Sequence, residues 1–115
     1  MIFVIDDDKI MAECIVRACK KPAKIFTNAI EAMDVISDGE LPELIFLDIL
    51  LDGPDGFTFL NELISYDDTV KIPIVIVSSL DFKKQDLSIY GVVGVLDKEK
   101  MIPKEIKKYV DEYAR

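Results

Sequence analysis

Short apolar runs recur along the chain, each closing on a polar residue and followed by a helical pattern. Ile2-Phe3-Val4-Ile5, Leu44-Ile45-Phe46-Leu47, Ile74-Val75-Ile76-Val77 and Val92-Val93-Gly94-Val95-Leu96 are continuous rather than alternating. Runs of this length, bounded by turn signals, fit strands buried on both faces of a parallel sheet. A fifth, shorter run from Ala23 to Phe26 predicts the weakest strand of the set.

The stretches between them carry helical spacing and its punctuation. Asp8 offers an N-cap for a helix whose inner face is predicted to hold Ile10, Cys14 and Ala18, with Ile15 and Cys19 beside them. Lys20-Lys21-Pro22 closes it with positive charge and a helix stop. Thr27 or Asn28 caps a second helix with Ala29, Ile30, Met33 and Ile36 facing in, ended by Ser37-Asp38-Gly39. A third, from Asp55 to about Tyr66, is predicted to bury Phe57, Leu60, Leu63 and Ile64. Asp81 opens a fourth that reaches Tyr90, with Phe82, Leu87 and Ile89 as its only strong apolar residues. Pro103 suits the first turn of a final helix bearing Ile106, Tyr109 and Val110. Strand and helix thus alternate five times, which calls for an α/β fold with helices on both faces of a parallel sheet. Connections are short and there is no internal repeat, so residues 1–115 read as one domain.

Composition narrows the function. Half of the 115 residues are apolar, enough for one well-filled core. A net charge of −8 repels phosphate backbones, so direct nucleic-acid binding is not expected. No apolar run approaches the roughly 20 residues of a membrane span, and no basic leader precedes the first strand, so a cytoplasmic protein off the membrane is expected. Cys14 and Cys19 fall about 140° apart around one helix, wrong for a disulfide, and read as small core residues. Histidine is absent, which excludes a histidine base, a histidine metal ligand and a phosphohistidine on this chain.

What the strands end in is more specific. The first runs into Asp6-Asp7-Asp8, the third into Asp48, the fourth into Ser78-Ser79 and the fifth into Asp97-Lys98. In a parallel sheet these ends share one edge, where open α/β folds place their ligands. Each residue alone has a plain reading: Asp8 as a cap, Asp52 and Asp55 as turn residues, Ser79 and Asp97 as loop residues, Lys98 as a solvated lysine. Together they form a set of carboxylates, a hydroxyl and an ammonium.

With these residues in place, the whole chain resembles the receiver domain of two-component response regulators, the CheY-like family. Asp6 and Asp7 match its acidic pair, Asp48 its phosphoacceptor and Asp55-Gly56 the pair that opens its third helix. Ser78 and Lys98 match its hydroxyl and lysine, with Gly91 and Gly94 where it carries glycines. The resemblance implies a flavodoxin-like (βα)5 three-layer sandwich with a five-stranded parallel sheet in the order 2-1-3-4-5. It also implies an aspartyl phosphate formed on Asp48 with Mg²⁺ (or Mn²⁺) held by Asp6, Asp7, Asp48 and the Leu50 backbone carbonyl. Ser78 and Lys98 are then expected to contact the phosphoryl oxygens. Such a protein catalyses its own phosphorylation and dephosphorylation and is not expected to turn over a separate substrate.

The implied partners are a sensor histidine kinase or phosphotransfer protein and a downstream protein or output domain, with the chain a monomer or a phosphorylation-dependent dimer. The pattern of the last helix is expected of a single-domain regulator and of a receiver excised from a longer protein alike. Two departures favour an alternative, a docking module of the same fold that works without phosphate. Val95 stands where the family often has an aromatic, and Glu99 where it has a proline. A haloacid-dehalogenase-type phosphatase needs Asp-x-Asp with a different continuation and a cap domain. A flavodoxin needs a phosphate loop where this chain has three aspartates.

Overall fold

The computed structural model describes residues 1–49, 56–79 and 88–114. In chain order these form β1 (Ile2–Ile5), α1 (Lys9–Cys19), β2 (Ala23–Phe26), α2 (Ala29–Ser37), β3 (Leu44–Asp48), α3 (Gly56–Ile64), β4 (Ile74–Ser78), a 3₁₀ turn (Ser88–Tyr90), β5 (Val92–Asp97) and α4 (Pro103–Tyr113). All strand pairs are parallel and the sheet order is β2-β1-β3-β4-β5, as the family resemblance implied. Most of the helix expected from Asp81 to Tyr90 lies outside the described residues; its last three positions form the 3₁₀ turn.

The central strands were readable because both of their faces are covered. The central strands β1, β3 and β4 are buried at every position, whereas the edge strand β2 is fully buried only at Phe26. On one side of the sheet α2 and α3 pack over Phe3, Ile5, Ile45, Leu47 and Ile76. On the other, α1 and α4 pack over Ile2, Val4, Phe46, Val75 and Val77.

The helix ends obey their caps. Asp8 Oδ1 accepts from the N–H groups of Ile10 (3.1 Å) and Met11 (3.2 Å), and Asn28 Oδ1 from Glu31 (2.9 Å). Lys20 takes a left-handed φ of 55° after α1, and Gly39 (φ 96°) follows α2. Pro103 opens α4, where Glu105 accepts from the Ile102 N–H at 3.1 Å.

The helix faces differ from the sequence expectation. In α1 the buried residues are Ala12, Ile15, Ala18 and Cys19, while Ile10 is 75% exposed and Cys14 is exposed. Ile10 stands in the first turn, at the edge where the sheet ends, and alanines bring the helix close to the strands. Cys14 is therefore not a core residue. In α2, Ala29, Ala32 and Ile36 are buried and Ile30 points outward. In α3, Phe59 joins Leu60 and Leu63 inside, leaving Phe57 and Ile64 half-buried. Among the described residues, no helix is long and apolar enough to cross a membrane.

Candidate functional site

The register sets the site. Ile5 of β1 pairs with Leu47 of β3, so Asp6 and Asp48 leave their strands side by side. Asp48 is level with Val77, which puts Ser78 one residue further along β4, and Ser78 is in turn level with Asp97. Asp6, Asp48 and Ser78 are all buried, at 1%, 4% and 1% exposure, whereas Asp7 is exposed.

Three carboxylates converge here: Asp6, Asp7 and Asp48 each present an oxygen within 4.8 Å of the others. Lys98 reaches the same point. Its Nζ donates to Asp48 Oδ2 at 2.9 Å and to Asp6 Oδ1 at 3.4 Å, and lies 3.2 Å from Asp6 Oδ2. The last contact is an ion pair without hydrogen-bond geometry, so Asp6 Oδ2 is buried with no donor among the described residues. Asp6 Oδ1 also accepts from the Asp8 N–H at 2.8 Å. Asp8 therefore works as a cap and a brace, as its place before α1 implied.

The backbone around Lys98 is held on both sides. Its N–H donates to the Ser78 carbonyl at 3.1 Å. Asp97 Oδ1 accepts from the Glu99 N–H at 2.9 Å, and the Asp97 carbonyl accepts from Lys100 and Met101. This turn is the structural work of Asp97, which in the sequence reads only as a loop residue. Aspartate one residue before a lysine at a strand end is the signal for it. The Lys98–Glu99 peptide bond is trans. Val95 is 41% exposed and lies on the α2/α3 side of the sheet.

Electrostatics follow from this packing. Burial pushes the Asp6 carboxyl above the ordinary carboxylate range, and the charge of Asp48 adds to it, while the Asp8 N–H and Lys98 pull the other way. Burial works against the Lys98 ammonium, but its hydrogen bond to Asp48 and the fields of Asp6 and Asp48 outweigh this and hold its pKa above the usual lysine value. One ammonium pairs with the two buried carboxylates, and the exposed Asp7 adds a third negative charge to the cluster. The negative excess, together with the donorless Asp6 Oδ2, fits a hard divalent cation with oxygen ligands.

Gly56 shows why the chain needs a glycine after β3. A Cβ there would stand 2.7 Å from the Ile49 Cα, and the Gly56 N–H donates to the Ile49 carbonyl at 3.1 Å. The start of α3 thus closes directly onto the residue after Asp48. Leu50, expected to supply a carbonyl ligand, and Asp55 lie outside the described residues.

The chain thus presents a parallel sheet covered by helices on both faces, with an acidic cluster and a lysine at its carboxyl edge. The response regulator receiver domain model matches residues 2–111, and the chain belongs to that family. It is 32% identical over 78 residues to the sensor histidine kinase CheAY of Helicobacter pylori, a match covering 64% of this chain and 10% of that protein. The chain spans at most a third of the length of the curated relatives it matches. Among solved structures, the receiver domain of NtrX from Brucella abortus superposes with a TM-score of 0.82 at 21% identity, covering 98% of this chain and 97% of that one. The Mn²⁺-bound form of another response regulator gives a TM-score of 0.77 at 20% identity, with 96% and 91% covered. The fold is thus that of CheY-like receivers, proteins of two-component signalling that work with histidine kinases.

Proposed function

We propose that residues 1–115 form one receiver domain that accepts a phosphoryl group on Asp48 from a sensor histidine kinase or phosphotransfer protein. The observation that carries this reading is the Asp48 carboxylate at the sheet edge, 2.9 Å from the Lys98 ammonium and beside Asp6 and Asp7. An Asp48 oxygen attacks the phosphorus of a phosphohistidine on the partner. The O–P bond forms, the P–N bond breaks, and the electron pair stays on the imidazole, which takes a proton. Lys98 exchanges its contact with Asp48 for one with a phosphoryl oxygen, and Ser78 donates its hydroxyl to another.

Asp6, Asp7, Asp48 and the Leu50 carbonyl would hold Mg²⁺ or Mn²⁺, a choice supported by the buried donorless oxygen of Asp6. When bound, the cation neutralises charge on the transferring group. The modified chain then changes its affinity for a downstream protein or output domain, as a monomer or as a phosphorylation-dependent dimer in the cytoplasm. Nucleic acid and membrane are not partners of this chain in the reading.

The test is the intact mass of the protein after incubation with acetyl phosphate and Mg²⁺. Wild type gains one phosphoryl group and Asp48→Asn gains none. An unmodified wild type, with Mg²⁺ binding shown separately, turns the reading to phosphate-independent docking, which Val95 favours because it has no ring to swing.

A further inference from the structure

On the face of the sheet away from α2 and α3, α1 and α4 lie side by side and leave an open groove of about 690 Å³ between them. Its walls carry Arg17 and Lys20 from α1 and Lys104, Lys107 and Lys108 from α4, with Asp111 the one carboxylate. Lys107 is paired with Asp111. Among the described residues, none of Arg17, Lys20, Lys104 and Lys108 takes part in an ion pair; Arg17 donates a hydrogen bond to the Cys14 sulfur at 3.3 Å. Four unneutralised cations thus face one another in a chain whose net charge is −8. The remaining surface is therefore more negative than the whole.

We propose that this groove docks a short acidic, partly apolar segment of a protein partner. Like charges gathered without counter-ions repel, and an anionic occupant removes that repulsion while satisfying the donors. Ala18, Pro103 and the aliphatic stems of the lysines give the groove an apolar floor that a few carboxylates alone would leave uncovered. Charge also decides between macromolecules. A nucleic-acid duplex long enough to cover the groove would run onto the acidic surface beyond it, whereas a short peptide stays within the cationic walls. The two walls are the helices that follow β1 and β5 in the chain. The docking itself requires no phosphate on Asp48.

The structure supplies its own reporter. Cys14 is exposed in the groove, while Cys19 is buried with its thiol pushed up to about 11, so mild alkylation reads Cys14 alone. The experiment uses the unphosphorylated chain and a fluorescein-labelled Glu/Leu-repeat peptide, followed by anisotropy and by the rate of Cys14 alkylation with iodoacetamide. Wild type binds the peptide and Cys14 is protected. Lys104→Glu/Lys108→Glu, at exposed positions, binds about tenfold more weakly. Lys24→Glu/Lys71→Glu changes net charge equally at exposed positions elsewhere and binds like wild type. Equal weakening of both variants, or binding that leaves Cys14 unprotected, overturns the proposal. So does tighter binding of a labelled DNA duplex or phosphatidylserine vesicles through the same lysines.

Discussion

Lys98 donates to Asp48 at 2.9 Å across the full width of β4, which separates the strands these two residues end. The same Nζ lies 3.2 Å from Asp6, so one partly exposed ammonium balances two buried carboxylates from β1 and β3. The pair ties three strands together at the edge where the chemistry is proposed.

Replacing Lys98 by Met keeps the aliphatic stem and removes the charge. Asp6 and Asp48 are then left facing each other without a cation, and removing one partner of a buried pair costs about 3 kcal/mol or more. Urea unfolding of Lys98→Met in metal-free buffer should show that loss, and millimolar Mg²⁺ should recover much of it. A loss of the same size in both buffers would speak against a cation among these carboxylates.

Asp6 gives the opposite sign. Its folded-state pKa lies above the ordinary 3.8 because burial disfavours the charge, so its ionisation weakens the metal-free fold. Stability from this group should rise as pH falls through the raised value towards 3.8 and be absent above it. At neutral pH without metal, Asp6→Asn should therefore unfold at a higher urea concentration than wild type. Saturating Mg²⁺, worth about 2.7 kcal/mol at a hundredfold excess over Kd, should stabilise wild type and leave Asp6→Asn nearly unmoved. A variant that is less stable than wild type without Mg²⁺ contradicts this account.

These residues were legible because each ends an apolar run, and in a parallel sheet all such ends meet at one edge. Asp6, Asp7, Asp48 and Lys98 lie together at that edge, with Ser78 at the end of β4. The helix faces were less legible. In α1 the expected inner face held Ile10, Cys14 and Ala18 with Ile15 and Cys19 beside them, whereas contact with the sheet buries Ala12, Ile15, Ala18 and Cys19. Alanine carries little hydrophobic weight in a sequence pattern, yet Ala12, Ala18, Ala29 and Ala32 are all buried in the core. The bulge at Val93 was also hidden, since an apolar run reads the same with or without one extra residue.

That bulge places Gly94 under α4, where the Tyr109 ring lies across it. A Cβ on Gly94 would stand 2.1 Å from the Tyr109 hydroxyl oxygen and 2.4 Å from the ring carbon bearing it. Gly94→Ala should cost about 1–3 kcal/mol through overpacking. In a Tyr109→Ala background the same substitution should cost under about 0.5 kcal/mol, because the clash is gone. Additive effects in this double-mutant cycle would mean that the glycine serves the backbone of β5 rather than the ring.

Cys19 makes a separate pH prediction on the α1 face. Burial raises its thiol from 9.0 to about 11, so the folded state holds a proton that the unfolded chain gives up. Below 9.0 the group leaves stability unchanged with pH. Between 9.0 and about 11 stability should fall, by about 3 kcal/mol in all at 1.36 kcal/mol per unit, and then level off. Lys98 adds its own loss only above its ordinary 10.5, because its folded pKa is raised, and it does so in any Cys19 variant. Cys19→Ala compared with wild type by urea unfolding across this range isolates the thiol. The difference between the two proteins should shrink as pH climbs through 9.0, and a constant difference would show that the thiol titrates alike in both states.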